Sequence, residues 1–112
     1  MAIQLDPNDA LAYANRGYAY GELGEHEKAI QDFDKAIQLN PNYTKAYFDR
    51  GYAYGELGEH EKAIQDFGDV IQLDPKDARA YSDRSLAYGS LGQDAKADAD
   101  RAKACSLDNK YC

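Results

Sequence analysis

The stretch RGYAYGELGEHEKAIQDF, Arg16 to Phe33, recurs letter for letter from Arg50 to Phe67. A copy placed 34 residues further on makes the chain periodic, and a period constrains every element at once. Sliding by that amount lays residues 10–43 on 44–77, and 44–77 on 78–111 with weaker agreement. Three repeats result, 10–43, 44–77 and 78–111, in a single domain spanning 8–112. The AIQLDP within the leader 1–7 matches AIQLNP at 36–41 and VIQLDP at 70–75, so 1–7 reads as the C-terminal stub of a preceding repeat helix.

Each repeat reads as two helices. Tyr13, Gly17 and Tyr20 fall on one helical face. Leu23-Gly24 ends that helix, with Gly24 suited to the left-handed position after a helix. A second helix runs from about His26 to Leu39, carrying Ala29, Phe33 and Ala36 on one face with Ile30 and Ile37 beside them. Asn40-Pro41 stops it. No β-branched alternation is sustained, which argues against strands. One hairpin cannot cover both faces of its own helices, whereas stacked copies can.

This pattern resembles the tetratricopeptide repeat. The resemblance rests on the period and on Tyr13, Gly17, Tyr20, Ala29, Phe33, Ala36 and Pro41, matched in the second repeat by Tyr47, Gly51, Tyr54, Ala63, Phe67, Val70 and Pro75. It implies an all-α fold, a right-handed α-solenoid of stacked antiparallel helix hairpins. It also implies a protein–protein interaction scaffold that binds a peptide or protein segment on its concave face. The third repeat keeps Tyr81, Tyr88, Gly92 and Ala97. It places Asp98, Arg101 and Cys105 where the first has Ile30, Phe33 and Ile37, and Asn109 where the first has Pro41... a shift to polar character expected of the end of a stack. The N-terminal end has no such treatment and is expected to expose an apolar flank. That flank suggests an alternative function, a self-assembling structural module that forms homo-oligomers. An engineered array, or one excised from a longer array, is a further reading of the verbatim copy.

Composition narrows the partners. The net charge is −7, with 13 Lys and Arg scattered among 20 Asp and Glu. No basic patch offers itself to a phosphate backbone, so nucleic acid is not an expected partner. An anionic membrane surface is disfavoured for the same reason, and no stretch approaches the length of a membrane span. The start, MAIQLDPNDA, has neither a basic nor an apolar run and does not read as a signal peptide.

Arg16 and Asp32 are equidistant from Gly24, Arg50 and Asp66 from Gly58, and Arg84 and Asp100 from Gly92. In hairpins turning at those glycines each pair meets at one height, and we read all three as structural ion pairs. No histidine or second carboxylate converges on them, so they do not read as a proton-transfer site. With no other catalytic constellation in the chain, no enzymatic activity is expected.

On a helical wheel, Ala12, Arg16, Ala19 and Leu23 share a face assigned to their own hairpin partner. Leu11, Ala14, Asn15, Tyr18 and Glu22 take a third face. Under the resemblance this face lines the groove, together with Lys45, Phe48, Asp49, Tyr52 and Glu56 in the second repeat. The third repeat contributes Arg79, Ser82, Asp83, Leu86 and Ser90. Aromatic residues on such a surface suit peptide capture, although the same rings also suit packing between neighbouring first helices. One subtype of the family grips a C-terminal carboxylate with basic and amide side chains. The matching positions here are Ala14, Tyr18, Asp49, Arg79 and Asp83, of which only Arg79 is basic. An apolar or basic segment is therefore the expected partner.

GEHE at 24–27 and 58–61 pairs a histidine with glutamates, but a full repeat separates the two and zinc needs several converging ligands. Neither a metal nor a cofactor is expected. Gly21, Gly55 and Gly89 are assigned to close helix crossing. Cys105 and Cys112 either form a disulfide or remain a packing residue and a tail thiol.

Overall fold

The computed structural model describes residues 8–112, and the leader 1–7 lies outside the described residues. Among them are six α-helices and no strand: α1 (Ala10–Glu22), α2 (His26–Leu39), α3 (Thr44–Glu56), α4 (His60–Leu73), α5 (Ala78–Ser90) and α6 (Asp94–Leu107). A 3-10 turn, Asn109–Tyr111, follows. They form three hairpins, α1/α2, α3/α4 and α5/α6, stacked in chain order.

Each first helix ends in the same hydrogen-bonded turn. Gly24 N–H donates to the Gly21 carbonyl at 3.0 Å, and Glu25 N–H reaches back to the Tyr20 carbonyl at 2.9 Å. This pairing needs a left-handed residue, and Gly24, Gly58 and Gly92 have φ of 77°, 78° and 75°. Helices α2 and α4 end on residues outside the helical region, Asn40 (φ −141°, ψ 92°) and Asp74 (φ −142°, ψ 87°), as the following proline favours. The third repeat has no proline there. Asp108 is extended all the same, and its Oδ1 accepts from Lys110 N–H at 3.1 Å. Asn40 and Asp74 make the equivalent bonds to the N–H of Asn42 and Lys76, so the side-chain turn recurs where the ring is lost.

Stacking is visible in the cores. One cluster joins Ala14 of α1, Ala29, Phe33 and Ala36 of α2, and Ala46 of α3. The next joins Phe48 of α3, Ala63, Phe67 and Val70 of α4, and Ala80 of α5. Each core is thus closed by the first helix of the following hairpin. A Cβ on Gly17 would lie 2.8 Å from Phe33 Cε1, and one on Gly51 3.0 Å from Phe67 Cε1, so these two glycines let the helices cross closely. In the third hairpin the pair becomes Ser85, buried, and Arg101, exposed and bonded to Asp98. The last face of the stack is accordingly polar.

The wheel assignment of Ala12, Ala19 and Leu23 needs correction. Ala53 and Ala87 are buried, yet Ala19, at the same repeat position, is exposed and Leu23 is 74% exposed. This face packs on the preceding hairpin, not on the helix's own partner. In the first repeat no described hairpin precedes it.

Cys105 and Cys112 form a disulfide, which ties the 3-10 turn back to α6.

Candidate functional site

Three arginine–aspartate forks hold the hairpins beneath the site. Arg16 Nε and Nη2 donate to Asp32 at 2.8 and 2.7 Å. Arg50 does the same to Asp66 at 2.9 and 2.7 Å, and Arg84 to Asp100 at 2.7 and 2.8 Å. The aspartates are buried. Each guanidinium lies between two tyrosines of its own helix: Tyr13 and Tyr20, Tyr47 and Tyr54, Tyr81 and Tyr88. Burial pushes the Asp66 carboxyl up, and the hydrogen bonds and charge of Arg50 work in the opposite direction. Arg50 also donates through Nη1 to Asp34 of the preceding hairpin at 2.8 Å, so one side chain fastens two hairpins. Asp34 corresponds to Gly68 one repeat later, and Arg84 has no such second partner among the described residues.

Two cavities open between successive first helices. The first, about 220 Å³, lies between α1 and α3, with Tyr18, Glu22, Phe48, Asp49 and Tyr52 on its walls and Gly17 and Phe33 among its lining. The second, about 170 Å³, lies between α3 and α5, with Tyr52, Glu56, Asp83, Leu86 and Ser90 on its walls and Gly51 and Phe67 among its lining. Nearly all of the second set stands one repeat on from the first, so the cavities are copies of one design. Tyr18, Tyr52 and Leu86 are exposed, and Tyr52 belongs to both cavities.

The remaining groove candidates are placed differently. Leu11, Asn15, Lys45 and Arg79 are exposed and Ser82 half-buried, but none of them lines either cavity. Ala14 is turned into the first core at 5% exposure, because α2 and α3 both pack over it. Phe48 is 9% exposed; its ring packs on Phe67 and also lines the first cavity.

Residues that the sequence reading named but did not assign to the groove also line the cavities. His26 and His60 are half-buried wall residues, one per cavity. His26 Nδ1 is buried without a hydrogen-bond partner among the described residues. The assignment of Gly21, Gly55 and Gly89 to helix crossing is overturned. A Cβ at any of the three would meet nothing within 4 Å. Gly21 and Gly55 instead leave room in the cavities, and their recurrence one helical turn after Gly17 and Gly51 was the available signal.

Charge divides the two cavities. Beside the first, Lys45 Nζ lies 4.8 Å from the centre of the Tyr18 ring and 2.9 Å from Asp49 Oδ2. Arg79 holds the equivalent position in the second but turns the other way. Its guanidinium stacks 4.1 Å over Phe48 and pairs with Asp77 at 3.7 Å. No group of three or more potential metal ligands is present among the described residues. No helix of the described residues is long and apolar enough to cross a membrane.

Hairpins that close one another's cores define an all-α helical-repeat solenoid. Comparison with known proteins gives the family. A tetratricopeptide-repeat profile matches residues 10–43 and 44–77, and a second profile of the same description matches 78–111. The chain belongs to the tetratricopeptide-repeat family. Among solved structures it is similar to MamA, at 36% identity with a TM-score of 0.91, over 95% of this chain and 62% of that one. It thus spans about three fifths of MamA's length. It is also similar to the tetratricopeptide-repeat domain of Arabidopsis OM64, at 28% identity and a TM-score of 0.89, over 93% of this chain and 86% of that one. The first such domain of Spaghetti (RPAP3), bound to the HSP90 peptide SRMEEVD, is 25% identical with a TM-score of 0.88, over 96% of this chain and 86% of that one. Among curated proteins none matches this chain by sequence.

Proposed function

We propose that the chain is a protein-interaction scaffold that binds a peptide or protein segment across α1, α3 and α5, and that it is not an enzyme. The observation that carries this reading is the pair of repeat-related cavities, walled by exposed Tyr18, Tyr52 and Leu86. Tyrosine on a preformed surface supplies contact area at little conformational cost, which favours capture of a segment. The Spaghetti domain, bound to a peptide ending in EEVD, supports peptide recognition by this fold. The chemistry of the partner differs, because Glu22, Asp49, Glu56 and Asp83 rim this face and oppose an acidic terminus. The segment recognised is apolar or basic. Pull-down with the chain and with a Tyr18→Ala/Tyr52→Ala variant tests the site: partners lost by the variant support it, and identical recovery by both removes it.

A second reading has its own observation. Ala19 is exposed where Ala53 and Ala87 are buried, and Leu23 is 74% exposed against 39% for Leu57, which leaves an apolar strip on the first hairpin. Such a strip suits pairing of two chains. Sedimentation at several concentrations checks it: a dimer broken by Leu23→Lys supports self-assembly, and a strict monomer excludes it.

A further inference from the structure

We propose that the cavity between α3 and α5 receives a lysine side chain of the bound segment, with its ammonium over the Tyr52 ring and on the Asp83 carboxylate. The inference rests on the groove reading above and names the chemistry of its occupant.

The argument comes from comparing the two cavities position by position. Beside the first, the fold supplies the cation itself, with the exposed Lys45 on the wall residues Tyr18 and Asp49. Tyr52 and Asp83 are the same residues one repeat later, in the same relation to each other. Their own candidate cation, Arg79, is committed to Phe48 and Asp77. Asp83 consequently makes no ion pair or hydrogen bond among the described residues, although it is half-buried. Burial pushes its carboxyl up, with Asp77 adding to the rise and Arg79 opposing it through space. Tyr52 is 55% exposed, and no cation among the described residues lies over its face. Glu56 adds a second carboxylate to the same cavity, and Leu86 supplies an apolar wall for an aliphatic stem. A lysine combines such a stem with a compact cationic head, and an aromatic face beside a carboxylate is what such a head favours. The Lys45 arrangement shows that this sequence builds that geometry in a neighbouring copy.

The test is selection of random peptides displayed on phage against the full chain. Replacing the lysine of a selected peptide with norleucine keeps the stem and removes the charge. Binding to the unaltered chain is expected to weaken about tenfold. The same replacement should change little against Asp83→Asn, whereas Asp49→Asn, whose carboxylate already holds Lys45, should retain the lysine dependence. Tyr52→Leu keeps apolar area without the ring and should reduce the dependence with every carboxylate in place. Thermal unfolding of each variant confirms that it is folded. Selected peptides with no lysine-dependent binding, or a norleucine loss undiminished in Asp83→Asn, would overturn the inference. Its failure is separable from that of the groove reading. Should the Tyr18→Ala/Tyr52→Ala variant bind the selected peptides unchanged, or should selection enrich none, the groove itself fails and the lysine site with it.

Discussion

At the scale of single residues, context decides what identical letters do. Lys62 and Arg50 are both cations with a carboxylate partner, but the Lys62–Glu59 pair is exposed on both sides. Arg50→Ala would strand a buried Asp66 without its counter-charge, which costs about 3–5 kcal/mol. Lys62→Ala should shift stability by less than about 1 kcal/mol; urea denaturation of both variants gives the comparison. Glycines divide in the same way. Gly17→Ala pushes a methyl into the Phe33 ring and should lower stability by about 1–2 kcal/mol, the overpacking strain exceeding the gain in helix propensity. Gly21→Ala meets open space and should raise stability by about 0.5–1 kcal/mol while narrowing the first cavity. If the two alanines act alike on the urea midpoint, the packing account of Gly17 is wrong.

At the scale of the helices, the fasteners between hairpins are uneven, and the gap suggests its own repair. Arg50 reaches back to Asp34, whereas Arg84 faces Gly68, whose Cβ would stand 3.8 Å from Arg84 Nη1. Gly68→Asp should therefore add the missing pair and remove a mid-helix glycine, raising stability by about 0.5–1 kcal/mol. Gly68→Asn is the control, since it changes helix propensity similarly without the charge. Equal gains from Asp and Asn in thermal unfolding would show that the ion pair contributes nothing. The helices and their ends were readable in the sequence. The 3.6-residue spacing, Gly24 and Asn40-Pro41 are local signals, and backbone sterics act locally. Which face meets which neighbour was less readable. Ala19 and Ala53 sit in the same repeated segment, yet one is exposed and the other buried, because burial depends on a preceding hairpin that no window around the residue contains.

At the scale of the whole molecule, shared cores make the stack and the stack makes the cavities. The period announced that hairpins would stack, and the wheel brought Tyr18, Tyr52, Asp83 and Leu86 to one side. It misplaced Ala14 and hid how deeply Phe48 is buried, since an arc on one helix does not say how far the next first helix approaches. The histidines of GEHE were weighed only as metal ligands, and their place on the cavity walls was missed because they enter from the following helix of each hairpin. The claim that joins these observations is that successive first helices act together as one binding face. Amide shift mapping of the isotope-labelled chain, titrated with a phage-selected peptide, tests it most directly. The account predicts perturbations confined to the cavity-facing turns of α1, α3 and α5, with the N-terminal turns of α2 and α4 carrying His26 and His60. Perturbations that instead follow the outer faces of α2, α4 and α6, leaving Tyr18, Tyr52 and Asp83 unmoved, would contradict it.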